Sequence, residues 1–383
     1  MSSLFPTYAR WDIEPETANG TKLMSKNGKE YLDFTSGIGV LNLGHCHEKV
    51  KNAVTQQLNK YWHVSNMFQS SAQERVAGML AEASGLDHVF FANSGAEANE
   101  AAIKLARKAT GRSKIVTCLQ SFHGRTFATM AATGQDKIKK GFGPMLNSFE
   151  YVPFNDNDAL AAAVDGDTAA VMIEIVQGEG GIHVVQQAYL DAIAAACKKH
   201  GALLIVDEIQ TGIGRTAKPF AFLHFDIQPD ILTSAKGLGN GLPIGAMIGK
   251  RELAEFFGPG SHGSTFGGNP VSVAAAEAVL TEIFQPDFLK EAEEKAEYLK
   301  SELTKALEDL DDVIEVRGLG MMIGIECKQE VQGFILEMQE AGLLLLSAGP
   351  NVLRLLPPLT VNQSEIDQAI VKIKSAVATK QII

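Results

Sequence analysis

Residues 203–208 read Leu203-Leu204-Ile205-Val206-Asp207-Glu208, four aliphatic side chains running into a carboxylate. An unbroken apolar run of this length fits a strand buried on both faces, as in a parallel sheet covered by helices. Such a strand delivers its last residue to the crevice where open α/β sheets bind ligands. Asp207 is therefore the first candidate site residue, although a strand-end Asp can also simply cap the next helix. The same pattern returns in Ile231-Leu232-Thr233-Ser234-Ala235-Lys236, which leads to a single charged residue followed by Gly237, Gly239, Gly241 and Gly245. A lone lysine in such a loop would ordinarily be solvated; at a second strand end it becomes a second candidate.

Outward from these two runs, apolar stretches at 88–92, 114–119, 170–175 and 245–249 read as further strands. Residues 73–84, 96–110 and 188–200 repeat apolar positions at helical spacing, the last two stopping at Gly111 and Gly201. Strands alternating with helices place the chain in the α/β class with a mostly parallel sheet. After Asn269-Pro270 the pattern changes to long helices at 271–284 and 288–310, then short strands at 313–316, 321–326 and 352–355. The first 50 residues are strand- and turn-like (22–24, 30–33) and too short to fold alone. The expected organisation is a large α/β domain over residues 50–265, with a smaller α+β domain built from residues 266–383 and the N-terminal segment 1–49.

At 383 residues the chain has room for two or three domains, and its 45% hydrophobic content excludes a disordered or fibrous protein. Lys and Arg number 34 against 45 Asp and Glu, a net charge of −11 that would repel a phosphate backbone or an anionic membrane. The cysteines at 46, 118, 197 and 327 form no CxxC pair, so reduced thiols in a cytoplasmic protein are expected. MSSLFPTYARWD offers no apolar signal region, and no run approaches the roughly 18 apolar residues of a membrane span.

Asn93-Ser94-Gly95-Ala96-Glu97-Ala98-Asn99 turns a strand into a helix through small residues, where backbone N–H groups, the helix dipole and the Ser94 hydroxyl suit a phosphate monoester; a plain capped helix start fits equally well. GLGNG at 237–241 lacks GxGxxG spacing, and no GxxxxGK[ST] occurs, which removes dinucleotide and P-loop sites. His45-Cys46-His47 lacks a third ligand, so no metal site is expected. Ser94, His123 and Asp207 could be arranged as a hydrolase triad, but no GxSxG elbow is present.

SGAEANE, FHGRT, QGEGG, DEIQTGIGR, SAKGLGNGLPIGA, GSTFGGNP and LRLLPPLT, in this order, resemble the class III (ornithine-type) aminotransferases from about Tyr8 to the C-terminus. The resemblance implies the fold-type I architecture of pyridoxal 5′-phosphate (PLP) enzymes and a homodimer with shared active sites. PLP chemistry needs a lysine amine to condense with the cofactor's aldehyde and a carboxylate to keep its pyridine nitrogen protonated, roles that suit Lys236 and Asp207. The resemblance further assigns Ser94, Gly95 and Ala96 to the phosphate, with Thr265 reaching it from the opposite subunit. Phe122 would stack on the ring and Gln210 would reach its hydroxyl, with Glu208 and Ile209 also along the cofactor. Arg125, Ser264, Glu179 and Arg354 would contact substrate. The implied reaction carries the terminal amine of N-acetylornithine to 2-oxoglutarate, leaving glutamate. Succinyl-diaminopimelate, ornithine or 4-aminobutyrate remain alternative donors. An aminomutase, or a PLP-carrying interaction protein without turnover, are further alternatives; the first would need no 2-oxoglutarate, and the second would have no use for a base and a substrate clamp together.

Overall fold

The computed structural model describes residues 3–379. Its seven-stranded sheet runs in the order His88–Ala92, Gly245–Gly249, Ile231–Ser234, Leu203–Asp207, Thr168–Glu174, Lys114–Cys118, Phe149–Val152. Pairings are parallel except at Gly245–Gly249, which is antiparallel to both neighbours. Leu203–Asp207 is thus the middle strand, and all of it but Leu203 is buried, as is the whole of Thr168–Glu174. Helices on both faces account for the absence of alternation in these strands.

The strands expected at 88–92 and 245–249 are found within those limits, those at 114–119 and 170–175 within two residues, and the runs at 203–208 and 231–236 form the strands Leu203–Asp207 and Ile231–Ser234. Periodicity gives no sign of the edge strand Phe149–Val152, where only Val152 is buried. Helix Gly95–Thr110 begins where Ser94 Oγ accepts the Glu97 N–H at 3.2 Å and ends on Gly111 at φ 67°; helix Gln187–His200 ends the same way on Gly201 at φ 66°. These are the cap and stop signals visible in the sequence. The Ala98, Ala101, Ala102 and Ala106 face of Gly95–Thr110 is buried, so small side chains let this helix lie close on the sheet.

Asn269 caps the next helix by accepting the Ser272 N–H at 3.0 Å, and Pro270 opens it. Helices Pro270–Ile283 and Pro286–Leu307 lead to an antiparallel sheet in the order Val313–Leu319, Met322–Cys327, Val352–Leu355, Leu346–Ser347. A further sheet joins the two ends of the chain: Pro15–Asn19, Lys22–Ser25 and Glu30–Asp33 pair in sequence, and Leu343–Leu344 adds parallel to Glu30–Asp33. Helices Glu48–Leu58, Gln332–Glu340 and Gln363–Thr379 complete the chain's outer layers. Apolar packing is continuous from Val171 and Val206 of the central sheet to Leu353 and Ile373. No helix among the described residues is long and apolar enough to cross a membrane.

Two buried ionisable side chains follow the middle strand, and the first ties distant parts of the chain together. Arg215 has no exposed surface; its Nη2 donates to Asn42 Oδ1 at 2.6 Å and its Nη1 to the Met321 carbonyl at 3.2 Å and the Pro357 carbonyl. Glu208, equally buried, accepts the Phe222 N–H at 2.7 Å and the Thr211 hydroxyl. Burial pushes its carboxyl up to about 7, against the pull of these donors. A carboxyl raised this way contributes stability that is complete below its unfolded value, near 4.5, and is lost as pH rises through its folded value. Glu208→Gln should therefore gain on the parent as pH rises from about 4.5 to 7.5, by up to about 3 kcal/mol, with the difference between the two constant below that window and constant, at its larger value, above it. Denaturant unfolding of both proteins across pH checks this, and parallel curves would contradict it.

Candidate active site

A cavity of about 420 Å³ opens at the C-terminal ends of the parallel strands, lined by Asp207, Lys236, Glu174, Phe122 and Arg125 among others. At its floor Asp207 is 4% exposed. Its Oδ2 accepts from Asn99 Nδ2 at 2.8 Å and from His123 Nδ1 at 2.7 Å, and its Oδ1 accepts the Ile209 N–H at 3.0 Å. Because the carboxylate is an acceptor, Nδ1 of His123 carries the hydrogen; Nε2 lies 3.2 Å from Thr117 Oγ1. Burial alone would lower the His123 pKa, but the hydrogen bond and charge of Asp207, aided by Glu174, raise it. Glu174 closes this cluster: its Oε2 accepts the Phe122 N–H at 3.1 Å, and desolvation first, then the Asp207 charge, push its carboxyl up to about 7 against the opposing pull of His123.

Lys236 follows the strand Ile231–Ser234 at φ 43°, a left-handed conformation unusual outside glycine that re-aims the chain as it leaves the sheet. Its side chain lines the cavity, and burial lowers the ammonium's pKa. Glu179 opposes that shift and Arg354 reinforces it. An amine more easily neutral than a solvated lysine is a better nucleophile and base.

Ser94, Gly95 and Ala96 also line the cavity, at the start of a 16-residue helix. Gly95 is the residue that fits, since a Cβ there would come within 2.7 Å of Ile209 Cδ1. This turn can hold an anion, while Phe122 and Ile209 offer apolar surface for a flat ring.

Glu179 and Arg354 form a two-pronged ion pair, Nη1 to Oε1 at 2.5 Å and Nη2 to Oε2 at 3.2 Å. Arg354 Nη1 also donates to the Gly178 carbonyl at 2.7 Å and to Gln210 Oε1 at 3.1 Å. Burial raises the Glu179 carboxyl, but the Arg354 charge and hydrogen bonds outweigh it and the net direction is down. Arg354 is 2% exposed and reaches the cavity only through Glu179 and Gln210, which line it. Arg125 is exposed, sits 5.7 Å from the centroid of the Phe122 ring and forms no ion pair with the described residues.

Three expected residues lie elsewhere. Glu208 is adjacent to Asp207 in an extended chain, so its side chain points to the other side, toward Thr211 and Phe222, and does not line the cavity. Ser264 and Thr265 do not line it either; Ser264 Oγ accepts from Asn93 Nδ2 at 3.0 Å and from the Gly267 N–H at 2.9 Å, and Thr265 is exposed. The Ser94, His123, Asp207 triad is not assembled, because His123 bonds Asp207 and Thr117 while Ser94 caps its helix. His45 bonds Asp33 through Nε2 at 2.8 Å, and no cluster among the described residues could hold a metal ion. Sequence reasoning missed Asn99, Glu174 and the pairing of His123 with Asp207. For Asn99 a signal existed: a polar residue on an otherwise alanine-rich helix face.

Comparison with known proteins adds the family. The aminotransferase class-III model matches residues 7–377. Acetylornithine aminotransferase of Bacillus subtilis (strain 168) is 60% identical over 379 residues, covering 99% of this chain and 98% of that protein. The protein of the same name from Halalkalibacterium halodurans is 58% identical over 374 residues, covering 98% and 97%. Among solved structures, the ornithine aminotransferase of Toxoplasma gondii, with PLP partially occupying its active site, superposes with a TM-score of 0.94 at 31% identity, covering 99% of this chain and 93% of that one. The N-acetylornithine aminotransferase of Stenotrophomonas maltophilia K279a gives 0.85 at 33% identity, covering 98% of each. With its family model, full-length relatives and α/β sheet in agreement, the chain belongs to the class III aminotransferases and has their fold-type I architecture.

Proposed function

We propose that this aminotransferase holds PLP on Lys236 and moves the terminal amine of N-acetylornithine to 2-oxoglutarate, giving N-acetylglutamate semialdehyde and glutamate. One observation carries the chemistry: a lysine whose ammonium burial destabilises shares a cavity with a carboxylate fixed by three hydrogen bonds. The choice of donor is supported by full-length relatives called acetylornithine aminotransferase. The donor set fits the cofactor, with a helix start whose Gly95 leaves no room for a side chain, a buried acceptor at the floor and apolar walls between them. When bound, PLP supplies a protonated ring that accepts the electron pair left as the amine-bearing carbon loses its proton.

The residues of the chain do the rest. Ser94, Gly95 and Ala96 would hold the phosphate, and Asp207 would keep the ring nitrogen protonated. Phe122, Ile209 and Gln210, which line the cavity, would border the ring. Lys236 would hold the cofactor through its amine and, in its neutral form, would take the proton from the donor carbon. Val40, Leu242, Pro243 and Ile244 line the same cavity with apolar surface and limit water near that proton. Arg125, exposed and in no ion pair with the described residues, can clamp a substrate carboxylate in either half-reaction.

The two substrates differ at the reacting carbon, where glutamate carries a carboxylate and N-acetylornithine does not. Arg354 would suit that carboxylate, but left uncovered it would be a buried, unpaired cation whenever N-acetylornithine binds. Glu179 covers it in one half-reaction and yields to the substrate carboxylate in the other.

In the same reading the enzyme is a cytoplasmic homodimer, with Ser264 and Thr265 serving the partner's site and the smaller domain formed by residues 1–49 and 266–383. Four unpaired cysteines suit a reducing compartment. Phe266, Trp62, Met67 and Phe68 are exposed, and Asn66 ties their segments by donating to the Ser264 carbonyl at 3.2 Å, leaving apolar surface for a second copy to cover.

A panel of amino donors with 2-oxoglutarate, scored by glutamate formed, should give N-acetylornithine the highest kcat/KM. A higher value for ornithine, succinyl-diaminopimelate or 4-aminobutyrate would reassign the donor, and activity without 2-oxoglutarate would reject the transfer. In single-turnover kinetics, Glu179→Ala should slow the N-acetylornithine half-reaction by about tenfold or more while sparing the glutamate one, since uncovering Arg354 costs a few kcal/mol only in the former. Arg125→Ala should slow both. Equal losses in both halves for Glu179→Ala would refute the gate.

A further inference from the structure

We infer that Asn99 is the positioning residue that aims the Asp207 carboxylate, and that the site uses its neutral carboxamide rather than its bulk. Asn99 has no exposed surface and sits between Ala98 and Ala101 on the buried side of helix Gly95–Thr110. Its Nδ2 donates to Asp207 Oδ2 and to the His123 carbonyl, both at 2.8 Å, and its Oδ1 accepts from Thr233 Oγ1 at 2.7 Å. A carboxylate and a peptide carbonyl have no proton to give, so the amide nitrogen must face them and the amide oxygen must face Thr233. The orientation of the amide follows from its partners.

Those partners lie on every element that this function requires. Asp207 ends the middle strand; His123 follows Phe122 in the loop beside the ring; Thr233 is on the strand that runs into Lys236. Asn99 itself is on the helix whose first turn is the phosphate cradle of Ser94 to Ala96. One side chain therefore ties together the anchors for phosphate, ring nitrogen and aldehyde. With Asn99 and His123 both on Oδ2, only Ile209 N–H among the described residues occupies Oδ1, which keeps a lone pair for the cavity. The other titratable groups acting on Asp207 are Glu174, Glu208 and Lys236.

Asn99→Asp would preserve the shape but set an acceptor against Asp207 and the His123 carbonyl, whereas Asn99→Ala would remove the donors without adding a charge. A residue that merely fills space should be replaced better by Asp than by Ala. An aiming amide requires the reverse order.

This inference rests on PLP binding at Lys236, so borohydride reduction of the wild-type holoenzyme and peptide mapping come first. Label on another lysine would overturn that assignment and this inference with it. With Lys236 labelled, the wild-type, Asn99→Ala, Asn99→Asp and Thr233→Val holoenzymes are compared by thermal melting, by kcat and KM, and by the pH dependence of the bound cofactor's visible absorption. Asn99→Ala should lose about 10- to 100-fold in kcat, as when an outer-shell partner is removed, with KM changed less than about threefold. Asn99→Asp should lose more, and its spectral midpoint should move upward by about one pH unit or more, because a like charge has been added beside Asp207. Thr233→Val, which leaves the amide oxygen without its donor and so loosens the aim of the amide, should lose a few-fold in kcat. Asn99→Asp outperforming Asn99→Ala, or an unshifted midpoint in Asn99→Asp, would overturn the inference. Should neither Asn99 variant fold, Thr233→Val decides, and wild-type kcat and midpoint there would overturn it.

Discussion

Burying a carboxylate at the end of the middle strand of a seven-stranded sheet is costly unless donors meet it, and that requirement organises the site around Asp207. Its three donors, Asn99, His123 and Ile209, come from a helix, a loop and the chain just beyond the strand itself. Each donor carries other functional surface with it. The helix of Asn99 starts at the Ser94–Gly95 turn, the loop of His123 carries Phe122 and Arg125, and Ile209 packs where a Gly95 side chain would otherwise stand. Satisfying one carboxylate therefore brings the Ser94–Ala96 turn and the apolar surfaces of Phe122 and Ile209 into a common frame.

Charge is distributed so that the two ends of the cavity favour different protonation states. Around Asp207, His123 is pushed toward its cation and Glu174 toward its neutral acid, which limits repulsion between buried carboxyls. Around Lys236 the effect is reversed: burial favours the neutral amine, the Arg354 charge adds to that, and Glu179 restrains it. Glu179 thus pairs directly with Arg354 and acts on Lys236 through its charge, so any movement that uncovers Arg354 also removes a negative charge from the vicinity of Lys236. On the proposed mechanism, gating and base strength would be coupled through this single carboxylate.

Residues 203–208 and 231–236 could be read from sequence because buried parallel strands leave unbroken apolar runs, and the residue that ends such a run is conspicuous when it is charged. The Ser94 cap, the Gly111 and Gly201 stops and the Asn269-Pro270 helix start are local signals, and the structure follows them closely. What could not be read depends on distance along the chain: Asn99 lies 108 residues and His123 84 residues from the Asp207 they hold. Phe149–Val152 escaped because a half-exposed edge strand lacks the apolar run of its buried neighbours. Glu208 was readable in principle, since alternation along an extended chain sends it away from the face that Asp207 occupies. Its neighbour's role in the motif was stronger as a signal than its own geometry.

The central claim is that the Asp207 carboxylate, and not merely a side chain of its shape, drives the chemistry. Asp207→Asn tests it most directly, because the amide keeps the volume and can still accept one hydrogen bond. The variant is expected to bind PLP and to lose about 100- to 1,000-fold in kcat, the 2.7–4 kcal/mol typical of removing one preorganised electrostatic contact. A loss of less than about tenfold, with PLP bound stoichiometrically, would contradict it.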